Sequence, residues 1–184
     1  MRRTLLFAAA LWAAPLFSTT AAAQTAPVVA ELMKDIDGVQ KKFVALAKAT
    51  PPEKLAWRPG TGVRSFGEVF LHVASDNYFI PASFGAAIPA STGIKSDDFK
   101  TLTAYETRKV TREQIVTELE QSFAHLKATM AKTTTAQLDA PISMFGMKSN
   151  AQGMWILATT HLHEHLGQAI AYARMNGIVP PWSK

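Results

Sequence analysis

The chain has 184 residues, 48% of them hydrophobic and 18% charged, with no cysteine and a formal charge of +5. That length suits one domain with a sizeable core. The lack of cysteine excludes disulfides, thiolate nucleophiles, iron–sulfur clusters and covalently attached haem, and ten Gly with ten Pro exclude a collagen-like chain.

Arg2 and Arg3 precede an apolar run of 13 residues, Leu5 to Phe17, and then Ala21, Ala22 and Ala23. A positive start, an apolar stretch and small residues in that order predict a secretory signal peptide over 1–23, cleaved after Ala23. The run is interrupted by Pro15 and is shorter than the roughly 20 residues needed to span a bilayer. Cleavage leaves a domain of residues 24–184 with 17 basic and 14 acidic residues, a charge of +3. The expectation is a periplasmic or secreted protein with no membrane contact once cleaved. Its basic residues (Lys34, Lys41, Lys42, Lys48, Lys54, Arg108, Lys109) are scattered among acids, and the densest pairs lack interleaved stacking aromatics, which argues against nucleic acid as a partner.

From Pro27 to Ala49, Val29, Leu32, Met33, Ile36, Val39, Phe43, Val44 and Leu46 recur at spacings of three and four, which predicts an amphipathic helix. Thr50-Pro51-Pro52 stops it, and Glu53 to Arg64 reads as a loop with one helical turn. Ser65-Phe66-Gly67-Glu68 is a capping box. The second helix starts there and carries Phe66, Phe70, Val73, Ile80 and Phe84 along one side. Ala86 to Ala104 reads as a long connection crossing the end of a bundle.

Thr111-Arg112-Glu113-Gln114 is a second capping box, opening a helix marked by Ile115, Leu119, Phe123, Leu126 and Met130. Thr133 to Asn150 breaks the period, with a hairpin or ordered loop near Pro141–Met147. The last helix runs from Ala151 to Asn176, with Gly177 as its C-terminal glycine. Four long helices without a strand-dominated region predict an all-α four-helix bundle with a long connection between helices 2 and 3.

Three of the five histidines fall in the last helix: His161, His163 and His165. His161 and His165 are about 40° apart around the helix axis and can reach one object, whereas His163 is about 200° from His161 and faces elsewhere. Neutral imidazoles at i,i+4 suit zinc, nickel, copper or iron. The order differs from His-Glu-x-x-His, because Glu164 directly precedes His165. His72 shares a stripe of the second helix with Val69, Asp76 and Phe79. It joins the pair only if the second and fourth helices face each other; otherwise it is a satisfied boundary histidine. His125 reads as structural or exposed. The aromatics Trp57, Tyr78, Trp155, Tyr172 and Trp182 line a pocket or pack in the core.

Four segments together resemble the DinB/YfiT-like superfamily of metal-dependent four-helix bundles. They are Leu55-Ala56-Trp57-Arg58-Pro59, Ser65-Phe66-Gly67-Glu68-Val69-Phe70-Leu71-His72-Val73, His161-Leu162-His163-Glu164-His165-Leu166-Gly167-Gln168, and Arg174-Met175-Asn176-Gly177-Ile178-Val179-Pro180-Pro181. The likeness extends from about Val28 to Trp182. It implies one divalent metal ion (zinc, nickel or iron) held by His72, His161 and His165. Thiol-dependent isomerases and S-transferases belong to that superfamily, and dimers are common in it, so a homodimer and a small-molecule substrate are expected.

Three imidazoles leave a cation an open position for water or substrate. Each ligand should give its other N–H to an orienting group, and Glu68, Asp76 and Gln168 are within reach by spacing. Asp76 is the candidate catalytic base, since Glu68 is committed to the cap. The chain then reads as a metal-dependent hydrolase or transferase. The alternatives are a non-catalytic periplasmic metal- or ligand-binding module, or a haem bundle using one of Met33, Met130, Met144 or Met154.

Overall fold

The computed structural model describes residues 24–144 and 146–183, so the signal-peptide reading at 1–23 lies outside the described residues. Five α-helices and one two-stranded hairpin make up the fold. They are α1 (Pro27–Ala49), α2 (Phe66–Phe79), α3 (Phe99–Glu106), α4 (Arg112–Met130) and α5 (Ala151–Met175), with β1 (Pro141–Met144) and β2 (Met147–Asn150) between α4 and α5. The chain is all-α in class, as its periodicity predicts. The helix count is five among the described residues, because the connection after α2 contains the short α3.

The four long helices close a ring of neighbours: α1 packs on α4, α4 on α2, α2 on α5, and α5 on α1. Their inward rows meet in one apolar core. Phe43 packs against Phe70 and Phe123 at centroid distances of 6.4 and 6.2 Å, and Phe66 stacks on Phe70 at 5.0 Å. Truncating one such fully buried ring costs about 3–5 kcal/mol. No described helix is long and apolar enough to cross a membrane.

α2 occupies the centre. Every one of its residues except Glu68 and Asp76 is buried, because α3 covers it in addition to α4 and α5. The one-sided apolar stripe expected from the sequence is therefore too narrow a description: this helix is enclosed on several sides. Its start is fixed from two directions. Ser65 Oγ accepts from Glu68 N while Glu68 returns to Ser65 N, completing the predicted box. The next amides are taken by the loop: Phe66 N donates to Trp57 O at 2.9 Å and Gly67 N to Leu55 O at 2.8 Å. A side chain at position 67 would put its Cβ 3.2 Å from Leu55 O, so glycine permits this approach.

Past α2 the chain makes a 3-10 turn over Ile80–Phe84 and leaves it through Gly85 at φ +79°. Phe84 then stacks on Trp155 at 3.7 Å. Asp98 caps α3 by accepting from Lys100 N, and Thr111 caps α4 with the predicted Gln114 partner. The hairpin pairs Pro141 with Asn150 and Met144 with Met147. Asn150 also caps α5, its side chain accepting from Gly153 N at 2.8 Å. The last strand residue thereby sets the first turn of α5.

Candidate metal centre

α2 and α5 face each other, and this contact brings together residues 93 positions apart. His72 from α2 and His165 from α5 place their Nε2 atoms 3.0 Å apart. His161, one turn before His165, places its Nε2 3.2 Å from that of His165. Asp76, one turn after His72, brings Oδ2 to 2.8 Å from His161 Nε2 and 3.2 Å from His72 Nε2. One donor atom from each of the four lies within 4.8 Å of the others. The neighbouring rings stand nearly perpendicular, with His72–His165 at 87° and His161–His165 at 88°.

The outer nitrogens are held separately. His72 Nδ1 lies 2.8 Å from Glu106 Oε1, and Glu106 Oε2 accepts from Arg64 Nε at 2.9 Å. Ser75 Oγ also donates toward Glu106 Oε1, at 3.3 Å. His165 Nδ1 lies 2.8 Å from Gln168 Oε1, and Gln168 Nε2 donates to Tyr172 Oη at 3.1 Å. Trp57 meets the Tyr172 ring edge-on at 5.3 Å, so the loop that clamps α2 also supports the residues behind His165. His72 and His165 are buried, and His161 is partly exposed.

These contacts fix tautomers. A carboxylate accepts only, so His72 Nδ1 carries the proton. Gln168 gives its amide N–H to Tyr172 and turns its oxygen to His165, so His165 Nδ1 is also the donor. If both rings are neutral, their Nε2 lone pairs face each other across 3.0 Å. That arrangement needs an acid proton or a cation between the atoms. Edges near 3 Å are what neighbouring ligands about 2.0–2.1 Å from one cation require. Nitrogen donors with one carboxylate oxygen suit a divalent transition metal, so the residues fit such an ion.

The charges differ around the ring. Burial disfavours protonation of His165, and His72 and His161 add to that effect, so its pKa falls. At His161 the hydrogen bond that its ring N–H donates to Asp76 outweighs burial and raises the pKa. Burial alone would raise Glu106, but the bonds and charges of His72 and Arg64 together hold its carboxyl below the usual range.

Of the residues named from sequence, His72, Asp76, His161 and His165 converge. Gln168 orients His165 as its spacing suggested. Glu68 does not reach a histidine: it is bound by Ser65 N and by Arg58. His163 faces outward and pairs with Asp35 on α1 at 2.6 Å. His125 packs against Tyr78 at 5.5 Å. Trp155 is fully buried, and Met130 and Met154 lie in the apolar core. Glu106 and Arg64 were not identified from sequence. A groove of about 640 Å³ beside α2 and the α3–α4 link touches Glu106 but none of the four converging residues.

An all-α fold whose central helix meets the last one through three imidazoles and a carboxylate defines a histidine-centred helical protein suited to a metal ion. A family model described as the DinB superfamily matches residues 35–169, and the chain belongs to that superfamily. Solved structures similar in fold include two DinB-like proteins. A DinB-like protein of Bacillus subtilis is 15% identical, with a TM-score of 0.62 over 84% of this chain and 97% of its own. A DinB-like protein of Bacillus cereus is also 15% identical, with a TM-score of 0.64 over 84% of this chain and 93% of its own. No curated protein matches the sequence.

Proposed function

We propose that this chain is an exported metal-binding protein whose His72, His161 and His165 hold one divalent ion, and that it acts as a metal-dependent hydrolase or transferase on a small molecule. The observation that carries the reading is the facing pair His72 Nε2 and His165 Nε2 at 3.0 Å, each ring having its Nδ1 proton drawn outward. A divalent ion bound there would polarise an oxygen and lower the pKa of bound water.

The chain's own groups divide the remaining work. Glu106 and Gln168 keep the Nε2 atoms of His72 and His165 available as donors. Asp76 Oδ2 is the one carboxylate oxygen inside the ring, and it serves as the proton acceptor for a ligand entering beside His161. The enclosed α2 keeps water from the inner side. The signal peptide read at 1–23 would send the protein to the periplasm or beyond. Zinc, nickel and iron all suit the donor set. Haem is disfavoured, since Nε2 atoms 3.0 and 3.2 Å apart admit no macrocycle between them.

The test is elemental analysis of residues 24–184 purified without a histidine tag and reloaded with metal. About one bound ion per chain is expected, falling sharply in His161→Ala. Little metal in the parent, unchanged by that substitution, would remove the reading. Turnover of a substrate, lost in a ligand variant that still folds, distinguishes an enzyme from a binding module.

A further inference from the structure

Arg64 immediately precedes the N-cap of α2. Its Nε donates to Glu106 Oε2 at 2.9 Å, and Glu106 Oε1 meets His72 Nδ1 at 2.8 Å. The guanidinium is thus fixed one carboxylate away from a histidine of the ring. Nε–H is one of five N–H donors. The Nη1/Nη2 edge, which binds a carboxylate by two parallel bonds, has no hydrogen-bond partner among the described residues.

Arg58, the other arginine near the start of α2, shows what a committed guanidinium looks like. Its Nη1 donates to Val63 O and Glu68 Oε2, and its Nη2 to Glu68 Oε1. The Arg64 side chain is 41% exposed, so its free edge meets solvent. The ring itself is most open at His161, whose side chain is 31% exposed against 11% for His72.

The local charges complete the argument. A divalent cation, two carboxylates (Asp76 and Glu106) and one guanidinium leave a single positive charge. Glu164, whose nearest oxygen is 3.9 Å from His161 Nδ1, is 76% exposed and its charge is largely screened by water. A monoanionic ligand would neutralise the site. We propose, resting on the metal reading above, that Arg64 binds the carboxylate of a small-molecule substrate whose other polar group approaches the histidine ring.

The test uses residues 24–184 loaded with cobalt, with glycolate as the anionic probe and imidazole as the neutral one, both followed by the visible cobalt spectrum. Arg64→Gln should keep its cobalt and its imidazole affinity while losing at least about tenfold in glycolate affinity. Arg64→Lys should recover part of that loss, a point charge without the fork. Equal glycolate affinity in the parent and Arg64→Gln would overturn the proposal, as would a parent that binds cobalt but not glycolate. A variant that loses imidazole and glycolate alike would also overturn it, by showing that Arg64 only holds Glu106. A parent that takes up no cobalt instead defeats the metal reading itself, and this assignment with it.

Discussion

α5 carries two histidine–carboxylate pairs on opposite sides. His161 meets Asp76 at 2.8 Å, and His163 meets Asp35 at 2.6 Å. By distance alone the outer pair is the tighter. The outer pair stops there, however, with side chains 47% and 50% exposed, and an ion pair in water contributes about 0–1 kcal/mol. The inner pair continues into His72, His165, Glu106 and Gln168. Close approach of a histidine and an acid therefore does not by itself mark a centre. What marks it is several acceptor atoms turned toward one point while their outer protons are tied elsewhere.

The sharpest way to break this contrast is to remove an inner imidazole. A ligand at a thousand times its dissociation constant stabilises a fold by about 4 kcal/mol, and each kcal/mol shifts the midpoint of a domain this size by about 2–4 °C. Excess zinc should therefore raise the parent's Tm by about 8–16 °C. In His165→Ala that rise should vanish in a calorimetric scan with and without zinc. Next in size is Glu106→Gln, which leaves all four ring residues but replaces the carboxylate behind His72. Losing such a partner typically costs about 10–100-fold in metal affinity, readable by competition with a chelator. An unchanged affinity would mean that Glu106 does not set the His72 tautomer.

Much of the scaffold was legible because its signals are local. The boundaries of α1, both predicted capping boxes and the glycine after α5 follow from residues within a turn of each other. The His161/His165 pair and Gln168 follow in the same way from helical spacing. His72 could be joined to them only through the family resemblance, since no local rule says that α2 and α5 face each other. α3 was missed because an eight-residue helix offers only Leu102, Tyr105 and Glu106 as buried positions, too few to establish a period. Glu106 was missed with it. It sits 34 residues from its histidine, and an isolated glutamate after a tyrosine carries no spacing that points to an imidazole.

Two smaller effects sharpen the contrast. Ser65→Ala removes the oxygen that accepts from Glu68 N and should cost about 1 kcal/mol, a drop of about 2–4 °C in Tm. Metal affinity should hardly change, because Trp57 O and Leu55 O still anchor the first amides of α2 and His72 lies two turns further on. His163→Ala should do least. It deletes the shorter of the two histidine–acid contacts on α5, yet Asp35 then returns to solvent and no donor is stranded. A stability change within about 0.5 kcal/mol is expected, with the zinc-induced rise in Tm intact. If His163→Ala instead abolished that rise, proximity to an acid would be a better guide to the centre than convergence, and the distinction between the two faces of α5 would fail.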